Sequence, residues 1–183
     1  MEDEVAEVLT PRLRLRGLRR EDVLPTLAMM TPAVSQWTAS WPAEMSLEVV
    51  LERMERARLR AVGGNALMYA VERRADGALM GWIGLHRSAD DPARAILGYW
   101  FGEAFHGQGY GGEAARAAVS AGWDLLGVQV IEAGANPANA ASIAILKRLG
   151  MHFTGERHEH VPARAREEIA VYYEMPRPSG SAP

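Results

Sequence analysis

The stretch that decides the fold runs from Ala95-Ile96-Leu97-Gly98-Tyr99-Trp100-Phe101 into His106-Gly107-Gln108-Gly109-Tyr110-Gly111-Gly112-Glu113-Ala114. Its first part is an apolar, aromatic run of strand length. Its second part places four glycines within positions 107–112 and passes directly into a helix of small residues. That helix is predicted from about Gly111 to Leu126, with Ala114, Ala117, Ala118, Ala121 and Leu125 on its buried face. Glycine has no Cβ, so the backbone N–H groups of such a loop can approach an anion closely. The helix N-terminus adds partial positive charge at the same point. The pattern offers a pyrophosphate cradle that needs no lysine.

Downstream, Gln129–Ala133 reads as a strand and Asn139–Leu149 as a helix closed by Gly150. Met151–His158 and Ile169–Glu174 read as two last strands. Upstream, Leu67–Glu72 and Leu79–His86 are strand-like and joined by a hairpin-type turn at Arg73–Gly77. Before them, Ser46 caps a helix with a stripe of Leu47, Val50, Leu51, Met54, Ala57 and Ala61, ended by Gly63-Gly64. Glu21–Met30 is a shorter helix with Pro25 in its first turn, and residues 31–42 form a loop or short irregular helix. Thr10–Arg16 alternates apolar and basic residues, a half-buried strand. The order β-α-α-β-β-β-α-β-α-β-β predicts an antiparallel run followed by a βαβ unit. One domain is expected over residues 10–175, with a polar lead-in at 1–9 and a flexible Pro/Ser/Gly-rich tail at 176–183.

Composition narrows the chemistry. The 183 residues are 48% hydrophobic and 23% charged, as in an ordinary globular domain. No apolar run approaches the roughly 20 residues of a membrane span, and the acidic start Met1-Glu2-Asp3-Glu4 is unlike a signal peptide. A cytoplasmic protein with no membrane partner is expected. With no cysteine, disulfides, thiolate metal sites and a Cys nucleophile are excluded, and no metal site is expected. A net charge of −3 argues against direct nucleic-acid binding. Lys147 is the only lysine, which excludes a lysine-containing phosphate loop; beside Arg148 in a helical pattern it reads as a solvated helix end.

Two ligand types fit the cradle. Gly107-x-Gly109-x-x-Gly112 matches the dinucleotide fingerprint, and Glu132 lies 20 residues beyond Gly112, where that fold wants an acid. Yet the fingerprint belongs at the first turn of a repeated βαβ series. Here two helices and four strands precede it, and the last three strands are joined by turns too short for parallel crossovers. That context argues against a nicotinamide dinucleotide and leaves the second ligand type to be named by other motifs.

Several motifs together carry a family resemblance. They are Thr10-Pro11-Arg12-Leu13-Arg14-Leu15-Arg16, Gly98-Tyr99-Trp100-Phe101, Gly107–Ala114, and Asn139-Ala140-Ala141-Ser142 followed by Lys147-Arg148-Leu149-Gly150-Met151. Over roughly residues 9–175 the chain resembles the GNAT superfamily of acetyl-CoA-dependent N-acetyltransferases, in its RimJ/RimL-like branch. The resemblance implies an α/β (α+β) domain with a mixed, mostly antiparallel sheet of about seven strands and helices on both faces. It also implies acetyl-CoA as cosubstrate and an amine acceptor, either a peptide N-terminus or a small molecule. His106 stands where the family most often has Arg or Gln.

By the same resemblance, His106, Gly107, Gln108, Gly109, Tyr110, Gly111 and Gly112 would hold the pyrophosphate. The edge of Trp100-Phe101 would pair with the pantetheine arm, and the Phe101 N–H would stabilise the oxyanion. Splaying of that strand from the next would open a slot for the thioester. Asn139 would bind the pantetheine arm and Ser142 would lie near the sulfur, although a helix N-cap accounts for Asn139 by itself. Leu146 occupies the position of the family's proton-donating tyrosine, which leaves Ser142 as the expected donor. For the base that accepts the amine's proton, Glu159 is the first choice, then His160, His158, His86 and Glu132. Arg53, Arg56 and Arg60 share one helix face; a solvated face is the plainer account, and a functional one would suit an acidic peptide. A homodimer is compatible with the sequence. So is a non-catalytic acyl-CoA-binding sensor on the same fold.

Overall fold

Strand and helix periodicities resolve into one eight-stranded sheet with helices on both faces. The computed structural model describes residues 5–179. In chain order the strands are β1 Val8–Leu9, β2 Leu13–Arg16, β3 Ala66–Arg73, β4 Leu79–Arg87, β5 Arg94–Phe101, β6 Val130–Ala135, β7 His152–Val161 and β8 Arg166–Pro176. The helices are α1 Val23–Met29, α2 Pro32–Ser35, α3 Leu47–Val62, α4 Tyr110–Ala121 and α5 Ala140–Leu149. The spatial order is β1-β2-β3-β4-β5-β6-β8-β7, and β5–β6 is the parallel neighbour pair in an otherwise antiparallel sheet.

Alternation along the central strands sends residues to two cores. Leu13, Leu15, Tyr69, Val71, Ile83, Leu85 and Leu97 pack with the alanines of α4 and with Leu146 of α5. Ala70, Trp82 and Trp100 pack on the other face with Val50, Met54 and Ala57 of α3 and Val23 of α1. Ser46 caps α3 by accepting from the Val49 N–H, as its place before the apolar stripe predicts. A buried fork joins α1 to the sheet: Arg16 donates to Asp22 at 2.7 and 2.8 Å and to Glu72 at 2.7 Å.

Several expectations need correction. Part of the predicted lead-in is strand β1, paired with Leu15 and Arg14, so the sheet has eight strands, one more than expected. The helix after the loop is α-helical only to Ala121 and continues as a π turn over Gly122–Leu126. That turn rotates the register, so Leu126 is buried and Leu125 exposed; within α4 itself Ala115 and Val119 are buried as well. A Cβ at Gly122 would lie 2.8 Å from Leu85 Cδ1, which explains glycine where the helix presses on the sheet. Glu159 and His160 lie inside β7 rather than after it. Pro176 ends β8, and residues 1–4 and 180–183 of the predicted lead-in and tail lie outside the described residues.

Candidate active site

The site begins where β5 and β6 part. They pair at Arg94↔Val130, Ala95↔Ile131 and Ile96↔Glu132, and there the ladder stops. Beyond it β5 stays with β4 as far as Gly81↔Phe101, while Ala133, Gly134 and Ala135 of β6 stay with β8. A slot opens between Leu97–Phe101 and Ala133–Ala135. On the β4 side, Gly102 N–H donates to Met80 C=O at 2.9 Å. Antiparallel alternation then turns the main chain of Trp100 and Gly98 toward β4 and that of Phe101, Tyr99 and Leu97 toward the slot. The slot edge is thus made by Tyr99 and Phe101, while Trp100, expected on that edge, sends its ring to the opposite core.

The glycine loop lies at the open end of this slot. Gly107 has φ 72° and Gly109 φ 79°, left-handed values that a β-branched residue would adopt only under strain. Gly109 is the N-cap of α4, so the first-turn N–H groups after it have no partner within the helix. A Cβ added at Gly107 or Gly112 would meet nothing within 4 Å, whereas one at Gly111 would sit 3.0 Å from Ile145 Cδ1. Gly111 therefore permits α5 to approach, and Gly107 and Gly112 keep the cradle open. These residues, with bare N–H groups at a helix N-terminus and no side chain in the way, fit a pyrophosphate.

Side chains around the loop brace it. His106 Nε2 sits 2.8 Å from Phe101 O and ties the loop to the end of β5. Gln108 Nε2 donates to Ala104 O at 2.8 Å, and its side chain stands outside the cavity wall. Arg12 donates to Gln108 O at 3.0 Å and to Glu113 Oε2 at 2.6 Å, and its guanidinium lies 4.3 Å from the Tyr110 ring centroid. Burial pushes the Glu113 carboxyl up, but the Thr10 hydroxyl and the Arg12 N–H groups outweigh it and hold the carboxyl below its usual range. The Thr10-Pro11-Arg12 segment is therefore a clamp on the loop as well as the entry to β2.

On α5, Asn139 Oδ1 accepts from Ser142 N at 3.1 Å, the helix-cap role open to it from sequence. The Ser142 hydroxyl lies 2.9 Å from the Tyr99 hydroxyl. Burial pushes the Tyr99 phenol up to about 12, with the Ser142 bond moderating the rise. Tyr99 is absent from the predicted site residues. The sequence carries part of its signal: in Gly98-Tyr99-Trp100-Phe101, Tyr99 alternates away from Trp100 onto the face that packs α4 and α5.

One cavity of about 960 Å³ joins loop, slot and far face; its wall includes Gly107, Phe101, Ser142, Trp41, Arg56 and His86. Trp41 packs edge-on against Trp82 with ring centroids 4.9 Å apart, and Trp82 Nε1 donates to Thr26 at 2.9 Å. Arg164, near the β7–β8 turn, donates to the Ser35 and Thr38 carbonyls and closes this side.

The five base candidates separate. Glu132 is locked to Arg157 at 2.6 and 3.0 Å, which also removes it as a ribose ligand for a dinucleotide. His160 is an exposed strand residue 3.4 Å from Glu167, and His158 is exposed. His86 is in the main cavity wall, its pKa lowered by burial and then by the charge of Arg60. Glu159 lies outside that wall, in a small adjoining cleft that shares Trp37, Ala39 and Gly134 with it. Its carboxyl is half-buried and pushed up, first by burial and also by Glu132, against the pull of Arg157.

Comparison with known proteins bears on this geometry. The family model described as an acetyltransferase (GNAT) domain matches residues 12–152. The "Putative ribosomal N-acetyltransferase YdaF" of Bacillus subtilis (strain 168) is 27% identical over 100 residues, 55% of this chain and 55% of that protein, so the match spans about half of that relative's length. The ribosomal-protein-S5-alanine acetyltransferase structure from Vibrio fischeri superposes with a TM-score of 0.80 at 14% identity, covering 97% of this chain and 100% of that one. Mycobacterium smegmatis RimJ, solved in complex with CoA-disulfide, gives 0.77 at 20% identity over 96% and 88% of the two chains. At those identities the superpositions speak for the fold. The model match over residues 12–152 covers most of the described sheet, the glycine loop and α5, and the chain belongs to the GNAT acetyltransferase family.

Proposed function

We propose that the chain transfers an acetyl group from acetyl-CoA to a primary amine, by direct attack with both substrates bound. The observation that carries this reading is the single cavity running from the glycine cradle, through the β5–β6 slot, to the tryptophan face. A nucleotide-thioester at one end and an amine at the other would meet inside the slot. Relatives named as ribosomal-protein acetyltransferases favour a protein N-terminal α-amine as the acceptor.

Acetyl-CoA supplies the acyl carbon already activated as a thioester. The Gly107–Gly112 amides hold the pyrophosphate, and the arm runs along Phe101 toward the closed end of the slot. Strand rise is about 3.3 Å per residue, so Tyr99 lies deeper in the slot than Phe101, toward the point where the strands rejoin at Ile96. We therefore assign the oxyanion donor to the Tyr99 N–H and leave Phe101 to the arm. Asn139 has a side-chain N–H₂ left to donate after capping α5. Ser142 and Tyr99 deliver the proton that the departing thiolate needs. A phenol with a pKa near 12 stays protonated at neutral pH and recharges the serine. This pair stands in for the tyrosine that Leu146 replaces. Glu159, half-buried and with no ion pair among the described residues, accepts the proton of the attacking amine through the adjoining cleft.

Thiol release from acetyl-CoA, followed with and without an N-terminal peptide panel, tests the reading. Amine-dependent release is expected. Binding of acetyl-CoA with no release for any amine would instead make the chain a non-catalytic acyl-CoA sensor, and stabilisation by NAD but not by CoA would overturn both.

A further inference from the structure

The cavity wall is basic: Arg148 of α5 lines it, and α3 adds a stripe of arginines. Away from the glycine loop its wall carries Arg53, Arg56 and Arg60, spaced three and four residues apart on one face of α3. No aspartate or glutamate among the described residues lines the cavity, although the chain as a whole has a net charge of −3. Arg56 bonds Glu52 at 2.5 Å, an exposed pair that a ligand can open at little cost. Arg53 lies 5.0 Å from the Trp41 ring centroid, and its Nε is buried with no hydrogen-bond partner among the described residues. Trp100 Nε1, in the same wall, is also buried and has no partner among the described residues. Neither atom is open to the cavity, so the groups that can meet a ligand are the guanidinium ends of Arg56 and Arg60, both exposed on α3, and the ring faces of the tryptophans.

We propose that this wall selects an anionic acceptor: an amine followed by carboxylates, which Arg56 and Arg60 hold while Trp41, Trp82 and Trp100 pack its apolar part. The proposal rests on the acyl-transfer reading above and names its substrate class. It excludes polyamines, whose positive charges would meet the same guanidinium groups. The arginines also help the chemistry. A nearby positive charge disfavours protonation of an amine, as Arg60 already does to His86, so the bound nucleophile is held closer to its neutral form.

Five probes separate the possibilities. Three hexapeptides share their N-terminal residue and continue with acidic, neutral or basic residues; free glutamate represents a small anionic amine and spermidine a cationic one. Binding to the CoA-loaded chain is followed by tryptophan fluorescence and turnover by thiol release. The acidic peptide is expected to bind about tenfold more tightly than the neutral one, with the gap narrowing as salt is raised. Arg56→Glu with Arg60→Glu, both exposed on α3, should invert the order while leaving CoA affinity unchanged. Glutamate binding as tightly as the acidic peptide supports the proposal and assigns a small acceptor. Equal binding of acidic and neutral peptides, an order that survives charge reversal, or no binding of any anionic probe overturns it. Selective acidic binding without thiol release would sink the acyl-transfer reading and leave this one standing. Thiol release from acetyl-CoA at equal rates with acidic and neutral peptides would do the reverse.

Discussion

The glycine-loop side and the tryptophan–arginine side of the cavity are built from different materials. The first is made of backbone. In the proposed reading its working groups are N–H groups of Gly107–Gly112 and the slot-facing main chain of Tyr99 and Phe101, and its side chains mostly brace: His106 on Phe101 O, Arg12 on Gln108 O. The second is made of side chains. Trp41, Trp82 and Trp100 form its floor, and Arg53, Arg56 and Arg60 its wall. A backbone site depends on a few glycines and a splayed strand pair, whereas a side-chain site changes with any substitution on α3. The first three predictions strike side-chain work, and the fourth strikes the backbone.

The largest effect is expected where the acceptor side is anchored. Asp22→Ala leaves the Arg16 guanidinium buried beside Glu72 alone, and should cost about 3–5 kcal/mol in denaturant unfolding. A loss below 1 kcal/mol would mean that α1 is held by packing rather than by this fork.

Next comes the base. Glu159→Gln should lower kcat about 100-fold with CoA affinity unchanged. The sign of its pH dependence follows from burial: the carboxyl works only when ionised, and its pKa is raised above 4.5, so the acid limb of the rate profile should lie above that value and vanish in the variant. A wild-type acid limb that persists in the variant would move the base to His86.

Smaller effects are expected at the proton donor. Tyr99→Phe and Ser142→Ala should each lower kcat about tenfold, and the double variant should fall no further than the worse single, because the two hydroxyls act as one relay. Multiplicative losses would show that they act separately. The smallest effect is on the backbone side. Gly109→Val forces a branched side chain into φ 79°, a strain of about 1–2 kcal/mol, and should weaken CoA binding about tenfold with kcat nearly preserved at saturation.

The difference in materials also explains what was legible in the sequence. Four glycines before a helix are a local signal, so the glycine loop, α4 and the Asn139 cap on α5 could be read without a structure. Tyr99 was not picked out, because its partner Ser142 lies 43 residues away and its exposure to the slot depends on where β5 and β6 part. The buried face of α4 was misread at Leu125 because a π turn adds a residue that 3.6-residue periodicity does not count. The end of β7 was misread for another reason. Most of its residues are exposed on this edge strand, so no apolar alternation marks Glu159 and His160 as strand. The arginine stripe was visible at its helical spacing; that it lines a cavity without carboxylates was not.

The measurement that tests the central claim most directly is thiol release from acetyl-CoA by the full chain, with an acidic N-terminal peptide as acceptor and acetylated peptide identified by mass. Release that requires the peptide, matches acetylated product one for one, and falls about tenfold in Tyr99→Phe is the predicted result. Tight acetyl-CoA binding with no amine-dependent release from any peptide or small amine would contradict it.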